Sequence, residues 1–296
     1  MKNRITEQRN IATEEIDKLR TLEILNLINK EDKKVITAVK KEIPVIGEVT
    51  DLIASKMMKG GRLFYVGAGT SGRIGVLDAV ECTPTFGVDR KKLVGIIAGG
   101  EKAMFVAQEN IEDDYELGIN EAAEKGISQR DSVIGITASG ETPFVLGFIE
   151  KARKTGAFTV GLCCNNGSSL EEVTEKTIKP IVGPEVITGS TRMKAGTAQK
   201  LVLNMISTTV MIKMNKVYSN LMVDLRVTNR KLEQRAKEIL SIITGEDLER
   251  AEEHLIKADY NVKHAIVMSR LKCSLEEAAD ILKRNKGNLR DVLESF

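Results

Sequence analysis

Five short runs of apolar, β-branched residues, separated by stretches of helical periodicity, constrain this chain more than any other feature. They are RLFYV (62–66), KLVGIIA (92–98), DSVIGITA (131–138), FTVGLCC (158–164) and IKPIVG (178–183). Each is too short for a helix and carries Val or Ile, the pattern of strands buried on both faces. Helical stretches lie between them, at about 72–81, 101–125, 142–155 and 168–176. This alternation predicts an α/β fold: a doubly wound, five-stranded parallel sheet with right-handed crossovers and helices on both faces. In a sheet of strand order 2-1-3-4-5, ligands belong at the carboxyl ends of the strands, beside the switch in strand order.

The flanks are helical. Residues 1–50 read as an N-terminal helical segment, broken at Asn29-Lys30-Glu31-Asp32, with a long helix from about Lys33 to Met58 that Pro44 kinks. The sheet domain takes residues 51–218, and 219–296 form a small helical domain. From about Arg192 to Lys216 a helix carries apolar residues on more than one face, as a central core helix or one covered by a second subunit would. The C-terminal region repeats itself: Leu248-Glu-Arg-Ala251, Leu255 and Asn261-Val262 return 27 residues later as Leu275-Glu-Glu-Ala278, Leu282 and Asn288-Leu289. Ser274-x-x-Glu277 is a capping box and Thr244-x-x-Asp247 a weaker one, so two helical hairpins are expected, structural or dimer-supporting in role.

Composition excludes several classes. A net charge of +2 leaves no basic footprint for nucleic acid. No apolar run approaches the roughly 20 residues of a membrane helix, and the N-terminus lacks a signal-like apolar core. Cys82, Cys163, Cys164 and Cys273 make neither a CxxC pair nor a disulfide framework, which fits a reducing cytoplasm. No His, Cys or Asp cluster has metal-ligand spacing, so no metal site is expected.

Three strand-end loops carry the candidate chemistry. The first is Gly67-Ala68-Gly69-Thr70-Ser71-Gly72-Arg73, a GxGxxG between strand and helix. A dinucleotide site wants an acid ending the second strand, and Ala98-Gly99-Gly100 stands there instead. Thr70, Ser71 and the backbone at Gly72 suit a phosphate monoester at a helix start, and a tight turn with no ligand is the plainer alternative. The second loop, Ser139-Gly140-Glu141-Thr142-Pro143, offers hydroxyls from Ser139 and Thr142 around Gly140, or else an ordinary helix cap. The third, Thr188-Gly189-Ser190-Thr191-Arg192-Met193-Lys194, supplies Ser190 and the Lys194 cation to the same anion, or simply starts a capped helix. One phosphorylated ligand would satisfy all three.

Acid–base candidates are carboxylates, because His254 and His264 both fall in the helical appendage. Glu81, in LDAVECTPT, ends the helix that begins at the first loop, and Glu112 lies in AQENIEDD after the second strand. On pattern alone each is more simply a solvated surface carboxylate.

Several segments together resemble one family: TEQRN, GAGTSGRIGVLDAVECTPTFG, IAGGEKA, ASGETP, EVITGSTRMKAGTAQKLVLNM and NLMVD are similar to the N-acetylmuramic acid 6-phosphate etherases, from Thr6 to about Asn229, and the helical tail resembles theirs too. The resemblance implies a sugar-isomerase (SIS) fold binding a phosphorylated amino sugar, a homodimer, and a cofactor-free removal of D-lactate. It places the two catalytic glutamates on Glu81, as proton donor, and on Glu112, as base. Glu109 and Asp113 compete for the second assignment. Thr83 stands where the family often has proline. A non-catalytic phosphosugar sensor like the glucokinase regulatory protein, and an aldose–ketose isomerase, are the alternatives on the same scaffold.

Overall fold

The computed structural model describes residues 4–106, 108 and 110–295. The chain forms two compact units, one of Met1–Ala79 and Lys91–Ser207, the other of Val80–Arg90 and Thr208–Phe296.

In chain order, the elements of the first unit begin with α1 (Thr21–Met58), β1 (Leu63–Gly67) and α2 (Gly69–Phe86, its last residues in the second unit). Then come β2 (Leu93–Ile97), α3 (Lys102–Phe105), α4 (Tyr115–Glu124), β3 (Ser132–Ile136), α5 (Pro143–Lys154), β4 (Phe158–Leu162), α6 (Ser169–Val173), β5 (Lys176–Ile178) and α7 (Lys194–Lys213). All strands pair in parallel in the order β2-β1-β3-β4-β5, as the alternation predicts. Strands β1, β3 and β4 are buried along their whole length, because helices cover both faces. Phe64, Val66, Val133, Phe144, Phe148 and Ile149 fill one side of the sheet. On that side α4 and α5 touch backbone to backbone: a Cβ on Gly118 would sit 2.0 Å from the Phe144 carbonyl oxygen, and one on Gly147 2.1 Å from that of Tyr115.

Four expectations are corrected. The fifth strand covers 176–178, before 178–183, since Pro180 has no N–H to extend the ladder. The 101–125 stretch is two helices with a 3-10 turn at Ile111–Asp113 between them. Residues 5–18 form three 3-10 turns. Helix α1 runs unbroken through Asn29–Asp32, where Glu31 is buried.

The second unit holds α8 (Arg230–Thr244), α9 (Leu248–Lys257), α10 (Val262–Leu271), α11 (Leu275–Arg284) and α12 (Leu289–Glu294) around Leu240, Leu255, Ile266, Leu282 and Leu289. The sequence repeat is also a backbone repeat. Asp247 and Ser274 cap α9 and α11, and Asn261 and Asn288 cap α10 and α12. The cap of α9 is thus Asp247, and Thr244 instead bonds back to the Leu240 carbonyl. Left-handed residues recur at the same offset: Gly245 (φ 79°) with Lys272 (φ 54°), and Asp259 and Tyr260 (φ 49° and 58°) with Lys286 and Gly287 (φ 52° and 72°). A Cβ is strained in that region by roughly 1–2 kcal/mol. Gly245→Ala is therefore expected to lower stability by about 1 kcal/mol, and Lys272→Gly to raise it by about 0.5 kcal/mol after the entropic cost of glycine. Denaturant unfolding of both variants checks this, and shifts of the same sign would refute it.

Candidate active site

The first loop forms because β1 ends at Gly67 and the chain turns through Gly69 (φ 51°) directly into α2. Gly72 is required by packing: a Cβ there would lie 2.6 Å from Ile97 Cγ1 and 2.8 Å from the Gly67 carbonyl oxygen. Its N–H donates to the Ala68 carbonyl, so Gly72 shapes the loop and its amide is not free for an anion. The N–H groups of Thr70 and Ser71 precede this first intrahelical bond. The Ser71 hydroxyl, nearly buried, donates to Gln199 Oε1 at 2.9 Å.

At the carboxyl end of the adjacent strand, β3, three hydroxyls gather. Thr137 Oγ1 lies 3.2 Å from Ser139 Oγ and 2.7 Å from Thr142 Oγ1. Thr142 occupies the cap position of α5, yet its side chain makes no capping bond. The Glu141 N–H donates to Ser139 Oγ. Gly140 (φ 77°) lets the turn pass close to Ser168, whose Cβ would sit 2.3 Å from any side chain there. Thr137, the third member, went unnoticed in the sequence because it reads as one more strand residue.

The third loop departs from expectation. Lys194 is fully buried, and its ammonium donates to Glu31 Oε2 at 2.7 Å. It is a structural ion, not a cation offered to a ligand. The N-terminus of α7 is capped by Glu185, whose carboxylate accepts the N–H groups of Lys194 and Ala195 at 3.0 and 2.9 Å. Burial pushes the Glu185 pKa up against those bonds. Ser190 is half-buried, its N–H bonded to the Ile187 carbonyl.

The N-terminal segment lies over these same strand ends. Asn165, just after β4, donates to Thr6 Oγ1 (3.0 Å) and to the Ala138 carbonyl (3.0 Å). Thr13 Oγ1 donates to the Val186 carbonyl at 2.8 Å, and Asn10 Nδ2 to Glu31 at 2.9 Å. TEQRN is therefore a strap across the carboxyl edge.

A cavity of about 400 Å³ opens beside the ends of β1 and β2, lined by Gly69, Arg73, Ala98, Gln108, Glu112 and Asp113, among others. It brings Glu112 to the first loop and adds a cation, Arg73, that sequence reading passed over; Arg73 Nε also donates to the Met104 carbonyl. Ser71, Ser139, Thr142 and Ser190 do not line this cavity. Asp113 does, so it remains beside Glu112, whereas Glu109 lies outside the described residues. Glu81 is solvent-exposed on α2 in the second unit, its carbonyl accepting from Thr85 Oγ1. One turn earlier Asp78 is buried and accepts from Asn204 and Ser207 on α7; burial raises its pKa, with hydrogen bonds from Asn204, Ser207 and Tyr65 opposing. Cys82 is a small buried residue. Among the described residues no group of three or more His, Cys, Asp or Glu side chains could hold a metal ion, and no helix is long and apolar enough to cross a membrane.

A parallel sheet of this order, with hydroxyl-rich turns at its carboxyl edge, fits an SIS-type protein, and the family profiles agree. The profile of the glucokinase regulatory protein N-terminal SIS domain matches residues 44–153, and that of the C-terminal lid domain of glucokinase regulatory protein matches residues 219–265. A Clostridium beijerinckii N-acetylmuramic acid 6-phosphate etherase is 53% identical over all 296 residues and 97% of its own length. One from Caldanaerobacter subterraneus subsp. tengcongensis is 54% identical over 98% of this chain and 95% of its own. The chain belongs to the N-acetylmuramic acid 6-phosphate etherase family. Among solved structures, a phosphoheptose isomerase from Francisella tularensis matches 64% of this chain and 98% of its own, at 18% identity and a TM-score of 0.46.

Proposed function

We propose that this chain cleaves the 3-O-lactyl ether of N-acetylmuramic acid 6-phosphate, giving N-acetylglucosamine 6-phosphate and D-lactate. The observation that carries the proposal is the 53% identity to an etherase along the entire chain. The chemistry suits carboxylates alone. The lactyl oxygen is a poor leaving group, and ring opening makes a C1 aldehyde that acidifies the C2 proton. Glu112 takes that proton while Glu81 protonates the departing oxygen, leaving a C2–C3 double bond. Water then adds its hydroxyl at C3 and a proton at C2, so one water is consumed and one lactate released. No redox step or group carrier is needed, and the pair must hold opposite protonation states. Thr70, Ser71, Ser139, Gly140, Thr142 and Ser190 hold the phosphoryl group, far from the reacting carbons, so its binding energy orients the sugar.

We further propose a cytoplasmic homodimer. Leu22, Ile36 and Ile43 are exposed on α1 at intervals of fourteen and seven residues, a stripe for a second copy to cover. All four cysteines are free thiols, in keeping with a reducing compartment.

Mass analysis of the sugar phosphate after incubation with N-acetylmuramic acid 6-phosphate tests the function. Loss of the lactyl group with free lactate supports it. An isomer of unchanged mass would mean an aldose–ketose isomerase, and saturable binding without conversion a sensor.

A further inference from the structure

Ser71 and Gln199 face one another in a way that bears on how a phosphoryl group is recognised. Gln199, on α7, is 1% exposed, and Ser71 is 8% exposed. The Ser71 hydroxyl donates its one proton to Gln199 Oε1, 2.9 Å away. With that proton directed inward, the serine oxygen can offer a ligand only lone pairs. A phosphoryl dianion needs the opposite, a donor. The other end of the same amide, Nε2, is buried and has no hydrogen-bond partner among the described residues.

A half-turn of the terminal amide resolves both mismatches. The torsion concerned is broad and nearly two-fold, so the two settings differ little in shape or strain. After the turn Nε2 donates to Ser71 Oγ, and the serine proton is released for another acceptor. Oε1 takes the buried position, where an under-satisfied carbonyl is tolerated more readily than an orphan N–H. Gln199 is held where it can act. Its helix is anchored by the Glu185 cap, and at Gly196, one turn earlier, it lies within ordinary van der Waals reach of Thr70 and Ile74 on α2.

We infer that Gln199 is a positioning residue for the phosphoryl group: with its amide in the second setting, Nε2 donates to Ser71 Oγ and leaves the serine proton to donate to the ligand. The inference rests on the proposed phosphate role of Ser71 and deepens it.

A double-mutant cycle between Ser71→Ala and Gln199→Met tests it, read as the Kd for N-acetylglucosamine 6-phosphate, with kcat followed in parallel. Each single substitution should weaken binding by roughly ten- to a hundredfold, the loss of about one hydrogen bond to an anion. The double variant should bind no more weakly than Ser71→Ala alone, and any fall in kcat should be non-additive in the same way, because the phosphoryl contact orients the sugar. Additive losses, or a Gln199→Met protein that binds as tightly as wild type, would overturn the inference. If Gln199→Met does not fold, Gln199→Glu serves: when ionised it accepts the serine proton and cannot return one. It should weaken binding at least about tenfold at neutral pH, and wild-type affinity would overturn the inference. Unchanged affinity in Ser71→Ala removes both the phosphate role of Ser71 and the role of Gln199. Coupled losses in a protein that releases no lactate would sink the etherase reading and leave this one standing.

Discussion

Glu81→Gln is expected to slow lactate release by about a hundred- to ten-thousand-fold, the usual contribution of a positioned acid or base, while leaving the affinity for sugar phosphate nearly unchanged. The substitution keeps the shape and length of the side chain and removes its ability to give up a proton at the departing oxygen. Glu81 is solvent-exposed, so no buried charge is stranded and stability should move by no more than about 0.5 kcal/mol. Glu112→Gln, at an exposed position lining the cavity with Arg73, should show a loss of similar size through the C2 proton. The two differ in one readout: exchange of the C2 proton with solvent deuterium should survive in Glu81→Gln and vanish in Glu112→Gln. A Glu81→Gln protein that keeps most of its activity would assign the acid to another side chain.

Lys194→Met should lower stability by about 3–5 kcal/mol, as expected when one partner of a buried ion pair is removed. Lys194 and Glu31 are 0% and 1% exposed and pair at 2.7 Å, with Lys34 and Asn10 completing the set around the carboxylate. Without the Lys194 ammonium, the buried carboxylate is left with the exposed Lys34 ammonium, 2.6 Å away, as its counter-charge. Burial by itself would raise the Glu31 pKa, but the hydrogen bonds from Lys194, Lys34 and Asn10 outweigh it and hold the value at about 2. Because the folded value lies below the ordinary 4.5, Glu31 contributes stability above about pH 4.5 that is lost as pH falls toward 2. Thermal melts should therefore show wild type losing stability across that window and Glu31→Gln losing much less of it. A Lys194→Met protein as stable as wild type would make the pair incidental.

Much of the first unit was legible in the sequence because its strands are buried on both faces. Runs such as FTVGL must then be apolar throughout, and their boundaries fall within a residue or two of the observed strands. The fifth run failed where Pro180 removed a ladder donor. The repeat of the second unit was legible for a different reason: its caps are local, each satisfied by a side chain within three residues. What escaped was held together over long sequence separations. Glu31 looked like part of a polar break because its partner lies at 194, and Lys194 looked like a ligand cation because its partner lies at 31. The strap at Thr6–Thr13 has no periodicity of its own; its hydrogen bonds run to Asn165, Pro184 and Val186. Glu185 gave no capping signal, since it sits nine residues before the helix it caps. The hydroxyl clusters were visible as residue types, but their partners, Gln199 for Ser71 and Thr137 for Thr142, were not.

The origin of the new C3 hydroxyl tests elimination and hydration most directly. With N-acetylmuramic acid 6-phosphate turned over in heavy-oxygen water, the label should appear in the C3 hydroxyl of N-acetylglucosamine 6-phosphate, and the lactate should keep the unlabelled ether oxygen. Label in the lactate hydroxyl, with none at C3, would mean that water attacks the lactyl carbon and that no double bond forms in the sugar, which contradicts the roles given to Glu81 and Glu112.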